Sequence, residues 1–72
     1  MNITLFTSTN CAYCPIAKNQ LEAKNIEYSH VNIDDSPELA SEHEIMSVPS
    51  IVDENNQVYR GLQECLRKID EI

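Results

Sequence analysis

The chain reads as a small α/β domain with the element order βαβαββα. Two patterns carry that reading: short runs rich in β-branched and aromatic residues, and amphipathic stretches with helical spacing that alternate with them. A third is the pair Cys11 and Cys14, placed where the first run gives way to the first helical stretch. A length of 72 residues is enough for one core, hence for one domain over 1–72. With 42% hydrophobic and 24% charged residues, the composition is that of a folding chain and not of a disordered tail. Domains this small hold only about 3–5 kcal/mol of stability and often lean on a disulfide, a metal or a partner.

The first strand is expected over 2–7, where Ile3, Leu5 and Phe6 with Thr4 and Thr7 suit a central strand buried on both faces. Ser8-Thr9-Asn10 is a polar turn. Tyr13, Ala17 and Leu21 then recur at i, i+4 and i+8 while Lys18, Asn19, Glu22 and Lys24 fall elsewhere, which predicts an amphipathic helix over about 11–25. Pro15 sits in its first turn, where a missing N–H is harmless. Tyr28, Val31 and Ile33 mark a second strand, parallel to the first because a βαβ crossover is right-handed. Ser36 is a candidate N-cap with Pro37 and Glu38 in the first turn of a short helix reaching about His43. Residues 50–52 and 57–59 read as a hairpin around Asp53-Glu54-Asn55-Asn56. Leu62, Cys65, Leu66 and Ile69, with Ile72 beyond them, form the apolar stripe of a last helix.

Charge narrows the possible functions. The net charge of −7 repels phosphates, so nucleic acid is not an expected partner. No Lys or Arg stands between Asn25 and Tyr59, where Asp34, Asp35, Glu38, Glu42 and Glu44 cluster; such a run is ordinarily a solvated face. No apolar stretch is long enough to span a bilayer, and the start Met1-Asn2-Ile3-Thr4 lacks the features of a signal peptide. The expectation is a cytoplasmic monomer without membrane contact. Three cysteines are an odd number, unsuited to a purely structural disulfide framework.

Cys11-Ala12-Tyr13-Cys14 carries the chemistry. The N–H groups that open a helix have no partner inside it and, with the helix dipole, favour negative charge there. A thiolate at Cys11 is stabilised by that field, and the thiolate is the nucleophilic form. Cys14 is close enough to finish an exchange: Cys11 attacks a substrate disulfide, and Cys14 then attacks Cys11 and expels the reduced substrate. Half of a zinc site is the competing reading, but His30 and His43 are too far apart for the usual ligand spacing, so no metal site is assigned. Cys65 lies on the apolar stripe of the last helix, the place of a small buried hydrophobe. Neither histidine is assigned to catalysis, and no buried carboxylate is in view as a proton acceptor for Cys14.

These residues together resemble the thioredoxin superfamily, and within it the glutaredoxins and the glutaredoxin-like redoxins that reduce ribonucleotide reductase. The resemblance covers nearly the whole chain: Ile3 to Thr7, the pair Cys11 and Cys14, Val48-Pro49 before a strand, and Gly61 opening the last helix. It implies a minimal thioredoxin fold, a four-stranded mixed sheet flanked by three helices. It also implies a cis bond before Pro49 and a Val48 backbone that pairs with an extended substrate. Tyr13, Val48, Pro49 and Gly61 become expected substrate contacts beside the catalytic Cys11 and Cys14. Tyr13 itself suits an exposed partner surface.

Departures from the family pattern bear on the reductant. Ala12 replaces the proline of the usual Cys-Pro-Tyr-Cys, Ser8 stands where many relatives have lysine, and Arg60-Gly61-Leu62-Gln63 lacks a Gly-Gly pair. Two anchors for glutathione carboxylates are thus missing or altered. Lys18 and Arg60 are the available substitutes, though a solvated charge is the ordinary role of each. The expected activity is dithiol reduction of protein disulfides, with ribonucleotide reductase as a candidate partner. No bound cofactor is expected, and electrons come from thioredoxin reductase and NADPH or from glutathione. A glutathione-dependent deglutathionylating glutaredoxin is the alternative within the class. A metal or iron–sulfur cluster protein is the alternative outside it.

Overall fold

The fold is a four-stranded mixed sheet between helices, seen in a computed structural model that describes residues 3–72. Its elements are β1 (Ile3–Thr7), α1 (Cys14–Ala23), β2 (Tyr28–Asn32), α2 (Pro37–Glu42), β3 (Ser50–Val52), β4 (Val58–Arg60) and α3 (Leu62–Glu71). The order βαβαββα and the fold class expected from the sequence are both found. Asn2, assigned to the first strand, lies outside the described residues.

The sheet order is β2-β1-β3-β4. β1 runs parallel to β2, with Leu5 opposite His30 and Thr7 opposite Asn32, and antiparallel to β3, with Leu5 opposite Ile51. β3 and β4 form the hairpin. Alternation along a strand divides the core in two. On the α1–α3 face, Ile3, Leu5, Ala17, Leu21, Ile51, Cys65 and Ile69 pack together. On the α2 face, Phe6 meets Ala40, Ile45 and Val52. Burial of these side chains is the main cohesive force, at about 1.5–3 kcal/mol for each large one. Lys24 Nζ fastens α1 to the end of α3, donating to the Ile69 carbonyl at 2.8 Å; a cation at a helix C-terminus is also favoured by the dipole. No helix of the described residues is long and apolar enough to cross a membrane.

Four local expectations need correction. The first helix begins at Cys14 and not at Cys11, because the Tyr13 carbonyl is the first to accept helical bonds, from Ile16 at 3.1 Å and Ala17 at 3.4 Å. The buried stripe of α1 is therefore Cys14, Ala17 and Leu21, while Tyr13 is 58% exposed, as expected of a residue on a partner surface. Ile33 lies just past the end of β2, although its N–H still donates to the Thr7 carbonyl at 2.8 Å. Gln57 belongs to the turn and not to β4, because its N–H donates to Asp53 Oδ1 at 2.9 Å and its carbonyl accepts from the Asp53 N–H at 3.1 Å. Ser36 stands at the N-cap of α2 as expected, but its hydroxyl makes no capping bond; its carbonyl accepts from Leu39 instead.

Candidate active site

The loop between β1 and α1 is held at both ends before it reaches Cys11. Thr9 N–H donates to Asp34 Oδ2 at 3.0 Å, the Asn32 amide reaches Thr9 Oγ1 at 3.5 Å, and Cys11 N–H donates to the Ser8 carbonyl at 3.4 Å. Asp34 is thus a strut of the loop. Sequence alone places it in an acidic, solvated run; its position directly after β2, parallel to β1, is the available signal.

The start of α1 directs one amide at sulfur. Helices open with four N–H groups that lack intrahelical partners. Of those here, Pro15 has none to offer, Ile16 turns to the Tyr13 carbonyl, and Cys14 N–H donates to Cys11 Sγ at 3.1 Å. Cys11 and Cys14 are joined as a disulfide with their Cα atoms 5.5 Å apart. Their surroundings differ sharply. Cys14 is 5% exposed, whereas Cys11 is half-buried with its sulfur ahead of the helix.

An open cleft of about 570 Å³ lies beside the pair, between the β1–β2 edge and α1, and is lined by Thr7, Cys11, Cys14, Lys18, His30 and Asn32 among others. Nothing in the local sequence places His30 beside the cysteine loop. The parallel register does so, by setting His30 opposite Leu5 on the strand that feeds the cysteine loop. His30 Nε2 lies 2.6 Å from the Thr7 hydroxyl, and Thr7 is itself buried. His43 is elsewhere, edge-on to Phe6 with ring centroids 5.7 Å apart. Among the described residues, no group of three or more His, Cys, Asp or Glu is disposed to hold a metal ion.

The other expected contacts surround a second turn. The Val48–Pro49 bond is cis. Pro49 is buried, and its carbonyl accepts from Gly61 N–H at 3.0 Å and from Cys65 Sγ at 3.4 Å. Ser50 Oγ closes the turn from the inside onto the Ser47 carbonyl at 2.6 Å. Gly61, with φ 86° and ψ 161°, is the N-cap of α3; open space surrounds its missing Cβ, so the positive φ and not crowding calls for glycine. Among the described residues, none bonds to the Val48 backbone. Arg60 points away, donating to the Glu44 carbonyl at 3.2 Å, while Lys18 is exposed at the cysteine cleft.

Cys65 is the third thiol and a different one. It is fully buried, and burial first, then the nearby Glu64 charge, pushes its pKa up to about 12, with a backbone hydrogen bond at Ile51 opposing in part. A thiol so poorly ionised is inert as a nucleophile.

Comparison with known proteins agrees with this architecture. The glutaredoxin family model matches residues 3–65. A thioredoxin of Methanocaldococcus jannaschii is 38% identical over 58 residues, covering 72% of this chain and 68% of its own. An SPbeta prophage-derived thioredoxin-like protein of Bacillus subtilis is 28% identical over 75 residues, covering 100% of this chain and 94% of its own. Among solved structures, the glutaredoxin-like protein NrdH-redoxin from Escherichia coli shares the fold, with a TM-score of 0.83 at 21% identity over 100% of this chain and 95% of that one. With a match from the first strand into the last helix, and a cysteine pair at the head of α1, the chain belongs to the glutaredoxin family.

Proposed function

We propose that the protein is a dithiol thiol–disulfide oxidoreductase that reduces protein disulfides, with Cys11 as nucleophile and Cys14 as the resolving cysteine. The observation that carries this reading is the asymmetry of the pair: a half-buried Cys11 sulfur that receives the Cys14 N–H at the start of α1, and a buried Cys14 behind it. In the reduced state the same N–H meets a thiolate. A charge-assisted bond of that kind is worth about twice a neutral one, so the helix start favours the form that attacks. Cys11 S⁻ displaces one sulfur of the substrate disulfide, and Cys14 then displaces the other from Cys11.

The free backbone of Val48 suits main-chain pairing with an extended substrate segment, and the exposed Tyr13 next to the nucleophile supplies an aromatic contact for a partner. A ribonucleotide reductase disulfide is the substrate implied by the family resemblance, and a relative in Salmonella typhimurium, 38% identical over 40 residues, is a glutaredoxin-like protein NrdH. Thioredoxin reductase, drawing on NADPH, is the proposed electron source. The single glycine before α3 and the thioredoxin-like activity profile ascribed to the Escherichia coli NrdH-redoxin support that choice over glutathione. The sulfurs carry the electrons and no bound cofactor takes part; the protein acts as a cytoplasmic monomer.

Insulin-disulfide reduction tests the assignment. Cys11→Ser abolishes turnover, and Cys14→Ser accumulates a mixed disulfide visible by mass. Wild-type activity in Cys11→Ser overturns the reading. Supplying each reductant alone then separates the electron sources, and full turnover with glutathione alone excludes the thioredoxin-reductase assignment.

A further inference from the structure

Cys14 must lose a proton before it can attack, and its burial opposes ionisation. Among the groups lining the cleft beside it is one imidazole, His30, a side chain able to take up and give back a proton. It is not isolated from the sulfur side of the fold. Thr7 continues the row of Ile3 and Leu5 on the α1 face of β1, so its hydroxyl stands on the cleft side beside the start of the helix. Thr7 is 5% exposed, and its hydroxyl bonds to His30 Nε2 at 2.6 Å. Thr7, Cys14 and His30 all line that cleft, so a buried hydroxyl already bonded to an exposed imidazole shares one cavity with the buried sulfur. The other titratable or charged groups facing His30 are Lys18 and Glu22 on α1 and Tyr28 on its own strand. The two α1 groups are of opposite sign, and Glu22 accepts from the Tyr28 hydroxyl at 3.4 Å; β1 contributes only Thr7.

We propose that His30, acting through the Thr7 hydroxyl, is the positioning residue that draws off the Cys14 proton in the resolving step; this rests on the dithiol exchange proposed above. The reacting state is the mixed disulfide between Cys11 Sγ and a substrate sulfur. The Cys14 S–H bond breaks and its proton passes to Thr7 Oγ1 as the hydroxyl proton passes to Nε2 of neutral His30. The Cys14 thiolate forms a bond to Cys11 Sγ, the bond from Cys11 to the substrate sulfur breaks, and the substrate leaves as a thiolate with the electron pair. The imidazolium returns its proton to solvent. The cysteine pair is oxidised by two electrons and the substrate disulfide is reduced by two.

The test is stopped-flow reaction of the reduced protein with 5,5′-dithiobis(2-nitrobenzoate), whose coloured thiolate leaves once when Cys11 attacks and once more when Cys14 resolves. His30→Gln and Thr7→Val are compared with the wild type across the neutral pH range. The expected result is a second phase slowed about tenfold or more at pH 7, as removal of general-base assistance costs at least that. Its pH profile changes in His30→Gln, while the first phase stays within twofold. Thr7→Ser restores the second phase, and the double variant is no slower than either single one. A second phase with unchanged rate and pH profile in His30→Gln overturns the proposal. That variant alone decides the matter if Thr7→Val does not fold, since His30 is an exposed position. Absence of a first phase in the wild type would instead refute the exchange reading itself.

Discussion

Alkylation of Cys65 converts the packing of the α1–α3 core into a measurable rate. With its pKa near 12, native Cys65 at pH 8 is ionised in only about one molecule in 10⁴, and it is also fully buried. Modification therefore proceeds through unfolded molecules. A stability of about 3–5 kcal/mol leaves roughly 10⁻² to 10⁻⁴ of them at 1.4 kcal/mol per decade. Leu21 is fully buried in the same cluster. Its truncation in Leu21→Ala removes the contact between α1 and the sheet at a cost of about 2.7–5.0 kcal/mol, close to the whole reserve. Protection of Cys65 against iodoacetamide, followed by mass spectrometry of the reduced protein, should then fall about a hundredfold. The volume-conserving Leu21→Met, at under about 1.5 kcal/mol, should leave protection within about tenfold of wild type. The half-buried Cys11 should react first in every folded variant. If Cys65 of the wild type is modified as fast as Cys11, or if Leu21→Ala keeps full protection, the assignment of both residues to one load-sharing core is wrong.

Two further outcomes follow from titrating groups. Burial works against the charge on Asp53, but the N–H groups of Gln57 and Asn55, together with Lys68 Nζ at 3.6 Å, outweigh it and hold this carboxyl below the ordinary range. A depressed folded value contributes stability above the unfolded pKa of about 3.9 that is lost as pH falls through the lower folded one. Asp53→Asn should therefore lower Tm at neutral pH by about 4–8 °C for a loss of about 1 kcal/mol, and flatten the acid limb below pH 4 in melts followed by circular dichroism. Cys65 has the opposite sign. A raised folded pKa contributes stability that is full below the unfolded value of about 8.5 and is lost as pH rises toward about 12. Tyr28, whose pKa is raised by burial first and then by the Glu22 carboxylate, acts in the same direction. Cys65→Ala should thus keep part of the alkaline slope and lose the rest, the difference being at most about 1.4 kcal/mol per pH unit; identical slopes for the two proteins would contradict the burial of this thiol.

Residue type and spacing made the element order legible because each element has a distinct local period. Ile3, Leu5 and Phe6 in an uncharged run could only be a central strand, and Leu62, Cys65, Leu66 and Ile69 could only be one stripe of a helix. Boundaries were less legible, since they depend on where individual backbone groups find partners. Gln57 looks like strand until Asp53 takes both its N–H and its carbonyl. The cysteine pair was visible as local sequence, but Asp34, Thr7 and His30 were not visible as parts of the site. They come from segments that only the parallel register of β1 and β2 brings together, and a register is a relation between strands that neither strand's composition states.

That difference matters most at Cys11. Counted as a helix residue, it would lie within the ladder, with its side chain beside amides already committed to carbonyls. Lying ahead of α1, it accepts from the Cys14 N–H, one of the amides that a helix start leaves without a carbonyl. The bond to sulfur is therefore a consequence of how the helix starts. A disulfide sulfur accepts it weakly and a thiolate accepts it strongly, so reduction tightens the first turn around Cys11. The helix start then favours the reduced form of the pair over the disulfide, which in the proposed exchange is a bias toward taking up electrons from a reductant.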